Sequence, residues 1–168
     1  MGRAAITSGR FEDFYAGTVD RLVGQLFVIT GDLHEAEEVV QEAFVRAASR
    51  WARLERYDAP EAWVRRVAMH LVTDRARWRR RRTVLLRRLG EPPQVPAASV
   101  EALALADALR ALPIRHRQAI VLHYLVGMPV EEVARTLSVP GGTVKSWLAR
   151  GRRALAGALG EHEETWTR

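Results

Sequence analysis

The residues with the clearest chemical potential lie in DRARWRRRR, where Arg75, Arg77, Arg79, Arg80, Arg81 and Arg82 crowd around Asp74 and enclose Trp78. A guanidinium is a permanent cation whose forked donors fit phosphate oxygens. A solvated basic face is the bland reading of such a run. Because the run continues a well-patterned helix and contains Trp78, binding to a nucleic-acid backbone is the better one.

A second constellation lies in VEEVARTLSVPGGTVKSWLARGRRAL, which has the anatomy of a helix-turn-helix. Val133, Ala134 and Leu137 would face inward from the first helix, with Ala134 small enough for a close crossing. Val144 and Leu148 would face inward from the second. Thr143, Lys145, Ser146, Ala149, Arg150, Arg152 and Arg153 are left on exposed or flanking faces. A helix in the major groove reads base edges with such residues while its neighbours hold phosphates. A helical hairpin with a solvated basic face is the competing reading. Ser138 occupies a turn position where glycine is often preferred.

Catalytic constellations are not found. His34, His70, His116, His123 and His162 show no i, i+4 ligand spacing, and the chain has no cysteine. No metal, cofactor or enzymatic activity is therefore expected. Disulfides and thiolate metal sites are excluded. Gly141-Gly142 reads as a turn and not as a phosphate loop.

The elements that must position these groups are all helical. Asp58 and Glu61 look like a capping box, with Pro60 in the first turn. The stretch from Asp58 to Arg82 then carries Trp63, Val64, Val67, Ala68, Leu71 and Val72 on one face. Before it, Phe11 to Ile29 forms an apolar stripe that ends at Thr30-Gly31-Asp32, where Asp32 can cap the next helix. That helix, Leu33 to about Trp51, should bury Leu33, Ala36, Val40, Ala43, Phe44 and Ala47. Its outer face would carry Glu35, Glu37, Glu38, Gln41 and Glu42, an acidic surface unsuited to DNA. Residues 52–59 read as a loop.

Three prolines in GEPPQVP forbid a helix and mark a boundary. Beyond it, helices are expected from Ser99 to Leu112, Pro113 to Leu125, Val130 to Leu137 and Gly142 to about Leu159. The fold class is all-α, with two small helical domains joined by a Pro-rich linker. The expected divisions are a flexible arm (1–10), a first domain (11–89), a linker (90–98), a second domain (99–160) and a tail (161–168).

The 168 residues carry a net charge of +6. Residues 1–90 and 113–160 are each net +5, while 91–112 and 161–168 are each net −2. Two basic bodies separated by an acidic connector suggest a polyanionic partner. No apolar run approaches a membrane span, and the N-terminus lacks a signal-peptide core, so a soluble, cytoplasmic protein is expected.

Three segments in order, GDLHEAEEVVQEAFVRA, PEAWVRRVAMHLVTDRARWRRRR and PVEEVARTLSVPGGTVKSWLARGRRAL, resemble extracytoplasmic-function (group IV) sigma factors of the sigma-70 family, actinobacterial type. The resemblance implies a region-2 domain, a region-4 domain and no catalysis. It implies binding to core RNA polymerase at the largest-subunit clamp helices and the flap, to promoter DNA, and to an anti-sigma factor. Glu37, Glu38, Gln41 and Glu42 match the clamp-helix docking surface. Arg53, Arg56 and Asp58 fall in the loop that captures an extruded minus-10 base. Arg66, His70, Thr73, Asp74 and Arg77 match the minus-10 reading and melting surface, with His70 where asparagine is usual. Thr143, Lys145, Ser146, Ala149, Arg150 and Arg152 match the minus-35 reader, with Ala149 replacing a larger residue. The alternative is a stand-alone helix-turn-helix regulator, which would need neither the acidic helix nor the melting lobe.

Overall fold

The computed structural model describes residues 2–85 and 100–166, with side chains described for residues 10–81 and 103–160. The described residues form eight α-helices and one π-helical turn, and no strand. The chain divides into two compact units, Met1–Val72 and Thr73–Arg168. The division falls inside a helix, and the expected linker, residues 90–98, lies outside the described residues. On the first side of it lie the buried apolar residues Val64, Ala68, Leu71 and Val72, and beyond the buried Thr73 the helix becomes rich in arginine.

In the first unit, α1 (Gly2–Thr30) starts well before Phe11, through residues expected to form an arm. Arg3, Ala4 and Ala5 are strong helix formers, and no proline intervenes. The helix ends where Gly31 takes φ 74° and its N–H reaches the Phe27 carbonyl at 2.8 Å, a left-handed cap that suits glycine. Asp32 then caps α2 (Leu33–Ala48), accepting from the Glu35 N–H at 3.0 Å. Such a cap is worth about 1 kcal/mol.

Two expectations for α2 fail. Leu33 is 52% exposed, because it stands at the first helical position, ahead of the stripe Ala36, Val40, Ala43 and Ala47. Glu35 is buried and not on the outer face; it sits in the first turn, where the helix dipole favours a carboxylate. Leu22, Leu26 and Ile29 of α1 are fully buried, as are Val39 and Val40 of α2, and each contributes roughly 1.5–3 kcal/mol of apolar burial.

A short helix, α3 (Trp51–Leu54), occupies the start of the expected loop. Rings hold it: Trp51 stacks on Phe14 with centroids 5.0 Å apart and meets Phe11 edge-on at 5.3 Å. Helix α4 (Pro60–Leu85) opens without the expected capping box. Pro60 fixes the first position, so Asp58 lies one residue too early, and Glu61 instead pairs with Arg21 of α1 and with Arg65. Arg65 also donates to Gln25 at 3.2 Å. The first half of α4 is thus tied to α1. Trp63 is half-buried, with the Arg50 guanidinium 5.9 Å from its ring centroid.

In the second unit, α5 (Val100–Ala111) is followed by α6 (Ile114–Ile120) and then by a π-helical turn, Val121–Leu125, where one continuous α-helix was expected. The wider turn lets the Met128 N–H fold back onto the Leu122 carbonyl at 3.0 Å, with Gly127 at φ 79° reversing the chain. Arg117 is buried and donates to the carbonyls of Arg110 and Leu112, satisfying the end of α5.

Helix α7 (Val130–Leu137), a turn and α8 (Gly141–Trp166) make the helix-turn-helix. Val133, Ala134, Leu137, Val144 and Leu148 are all buried, as their spacing requires. Helix α8 runs past Leu159 into the segment expected as a tail.

The turn has a measurable weakness. Ser138 takes φ 56° and ψ 50°, and the Val139 N–H closes the cap on the Ala134 carbonyl at 3.0 Å. A left-handed conformation costs a non-glycine residue about 1–2 kcal/mol, partly offset because glycine loses more entropy on folding. Ser138→Gly should therefore stabilise the second unit by up to about 1 kcal/mol and raise Tm by a few degrees. A lower Tm in thermal unfolding would mean that the serine side chain stabilises the turn by more than its backbone costs.

Candidate polymerase and DNA interfaces

The α2 surface is acidic and amphiphilic at once. Glu37, Glu38 and Gln41 are exposed and Glu42 half-buried. Glu42 accepts from Arg46 at 2.6 Å, and Glu38 lies 3.3 Å from His34 Nε2. Val45 is 63% exposed. Position 45 follows Gln41 by four residues and Glu38 by seven, so helical geometry puts this valine in the middle of the acidic arc. Sequence periodicity treats Val45 as a stray apolar position; only its exposure marks it.

Arg53, Arg56 and Asp58 are all exposed around the α3–α4 loop. Backbone bonds shape that loop: the Tyr57 N–H reaches the Leu54 carbonyl at 2.9 Å, and Leu54 is buried beneath it. Arg10 of α1 pairs with Glu55 at 3.3 Å. Tyr57 is 41% exposed beside these residues, an aromatic the sequence pattern does not single out.

On α4, Arg66 and Asp74 are exposed, Arg77 is exposed, and His70 is half-buried. Positions 66, 70, 74 and 77 fall on one stripe of the helix. Asp74 stands 3.9 Å from Arg77, too far for a strong hydrogen bond. Thr73 has the spacing of that stripe, at its inner edge, but is not exposed with it. It is buried, and the Gln118 side-chain amide donates to its hydroxyl at 3.2 Å.

On α8, Val144, Leu148 and Gly151 form the buried edge. Lys145, Ala149, Arg150 and Arg152 are exposed, while Thr143 and Ser146 are half-buried. These six residues therefore occupy the arc away from the core. Arg152 donates to the Tyr124 hydroxyl at 2.9 Å, a tether from the π-helical turn that spacing cannot reveal. His116 lies with its ring 6.3 Å from Trp147. Burial, and secondarily the charge of Arg150, push its pKa below the ordinary histidine value.

No group of three or more His, Asp or Glu side chains suited to a metal ion occurs among the described residues. No helix among them is long and apolar enough to cross a membrane.

Comparison with known proteins agrees with this geometry. Residues 14–82 match the family model "Sigma-70 region 2", and residues 102–155 match "Sigma-70, region 4". Among relatives, the chain is 35% identical to "ECF RNA polymerase sigma factor SigL" of Mycobacterium tuberculosis, over 79% of each sequence. It is 31% identical to "ECF RNA polymerase sigma factor SigE" of Mycolicibacterium smegmatis, over 85% of this chain, and spans 59% of that relative's length. Its fold is similar to that of the sigma factor RpoE in complex with the anti-sigma factor NepR from Bartonella quintana, with a TM-score of 0.74 and 21% identity, covering 89% of this chain and 96% of that one. With both region models matched in order, and a relative above 30% identity matched over most of its length, the chain belongs to the extracytoplasmic-function sigma factors of the sigma-70 family, of the type found in actinobacteria.

Proposed function

We propose that this chain acts as a promoter-specificity subunit that docks on core RNA polymerase through Glu37, Glu38, Gln41 and Glu42 of α2, with Val45 at the centre of the contact. Its minus-10 contacts are Arg53, Arg56 and Asp58 in the loop before α4, and Arg66, His70, Asp74 and Arg77 along α4. Thr73 supports the same helix from its buried position. Its minus-35 contacts are Thr143, Lys145, Ser146, Ala149, Arg150 and Arg152 on α8. It opens DNA by trapping unstacked bases and has no catalytic activity of its own. Extruding a base costs a few kcal/mol, offset by a receiving pocket and by phosphate contacts. The site of action is the cytoplasm, where polymerase and promoter meet.

The observation that supports the reading most is the match of both sigma-70 region models, in order, on a chain whose α2 presents an exposed acidic arc. A stand-alone DNA-binding regulator gains nothing from a surface that repels DNA and is apolar at its centre. An anti-sigma factor is the expected regulatory partner, as in the Bartonella quintana complex, and residues 90–98 serve as the spacer that makes binding of two weak elements a linked event.

The test is at α8. Arg150→Ala, assayed with core polymerase on promoters carrying single substitutions in the minus-35 element, should lower affinity by about 1–3 kcal/mol and relax discrimination at one position. Equal loss on every sequence would make Arg150 a phosphate contact. No loss on any sequence would remove α8 from the promoter.

A further inference from the structure

The second unit, Thr73–Arg168, contains a partly enclosed cavity of about 210 Å3. That is below the roughly 300–1,000 Å3 of pockets for drug-sized ligands. Its ionisable lining is basic throughout: Arg77 and Arg80 come from α4, Arg115 and His116 from α6. Ala76, Pro113, Ile114 and the Trp147 ring supply an apolar wall.

The charge of this cavity is not balanced within it. Asp74 stands 3.9 Å from Arg77 but outside the lining, and among the described residues no carboxylate lines the cavity. Arg115 is half-buried and donates to the Leu137 carbonyl at 3.4 Å, a neutral acceptor that leaves the charge in place. Burial, and next the charge of Arg77, push its pKa below the ordinary arginine value, with Asp74 opposing. Cations that are partly out of water and repel one another are disfavoured. An anion placed between them relieves the repulsion and accepts forked, charge-assisted hydrogen bonds. A phosphate monoester suits the cavity better than a phosphodiester. It carries up to about two negative charges at neutral pH and a single substituent, which the apolar wall can cover.

We propose that this cavity binds a small organic phosphate monoester, with the phosphate held by Arg77, Arg80 and Arg115 and the apolar body against Ile114 and Trp147. The size of the cavity limits that body to about one ring. Arg77 is also one of the minus-10 contacts proposed above, so the test must separate a small phosphate from DNA.

Isothermal titration calorimetry of the full chain with phenyl phosphate, a monoester bearing one ring, should saturate at one ligand per chain. Inorganic phosphate lacks the ring and should bind about tenfold more weakly or worse. Arg115→Ala and Arg80→Ala should each lower the affinity for phenyl phosphate about tenfold or more. Arg80 is exposed, so Arg80→Ala keeps the test informative should Arg115→Ala disturb the fold through Leu137. Arg81→Ala removes the same charge from α4 outside the cavity lining and should stay within about twofold of the parent. A titration that does not saturate, an unchanged affinity for Arg80→Ala, or a loss with Arg81→Ala as large as that with Arg80→Ala would overturn the proposal. Inorganic phosphate binding as tightly as phenyl phosphate would overturn it too. A single-stranded oligonucleotide without terminal phosphates offers only phosphodiesters, and Arg115→Ala should weaken its binding far less than that of phenyl phosphate. Equal losses would make the cavity part of the DNA track and overturn the proposal.

Discussion

Gly151→Val should unfold the second unit far more readily than any surface substitution. Gly151 lies where α8 crosses α6, and a Cβ built on it would stand 2.9 Å from Ile120 Cγ1 and 3.1 Å from Ile120 Cδ1. Ile120 is itself buried, and Cγ1 is not the free end of a flexible chain, so one of the helices must move. Overpacking of this kind costs roughly 1–3 kcal/mol for one added carbon. Alanine would regain about 1 kcal/mol of helix propensity, leaving a small net effect. Valine brings two further carbons and a branched Cβ with little compensation, and a loss of roughly 3 kcal/mol or more is expected, a large share of the stability of a small helical unit. Thermal unfolding of Gly151→Val, and of Gly151→Val combined with Ile120→Ala, checks this. In the double variant the cavity left by Ile120 should accept the new side chain, with coupling of about 1–3 kcal/mol. A Gly151→Val protein as stable as the parent would mean that the α6–α8 crossing is wrongly described.

The second large effect concerns α2. Glu38→Lys combined with Glu42→Lys should lower the affinity for core polymerase at least tenfold, about 1.4 kcal/mol. The fold should survive, because the pairs lost with Arg46 and His34 are exposed i, i+4 contacts worth only about 0.3–0.5 kcal/mol each. Binding should not, because a complementary partner surface would then face like charges. Asp13→Lys with Asp20→Lys changes net charge equally at exposed positions of α1 and serves as the control. Equal weakening by both pairs would indicate a bulk charge effect, and no change with the α2 pair would remove that helix as the docking surface.

Much of this architecture is legible in the residues themselves. Asp32 does cap α2, the apolar spacing of α7 and α8 does bury Val133, Leu137, Val144 and Leu148, and the all-helical class follows from periodicity alone. What periodicity cannot decide is what happens at helix ends and between distant positions. Asp58 and Glu61 satisfy the spacing of a capping box, yet Pro60 sets the start one residue later and Arg21, forty positions earlier, takes the carboxylate. Leu33 and Glu35 exchange their expected environments for the same reason, since the first turn follows the cap and not the stripe. Thr73 has the spacing of a DNA contact but is drawn inward by Gln118. Tyr124 and Arg152 meet although they lie twenty-eight positions apart. Val45 is visible as a residue type in the sequence, but its exposure depends on which side of the helix the core occupies.

The central claim is that this chain confers promoter selection on core polymerase. Run-off transcription on a pool of GC-rich genomic fragments, comparing core polymerase alone with core polymerase plus this protein, tests it directly. Discrete new start sites sharing two upstream elements at a fixed spacing are the predicted result. No new start sites, together with a shift of duplex DNA by the protein in the absence of polymerase, would contradict it and leave a stand-alone helix-turn-helix regulator.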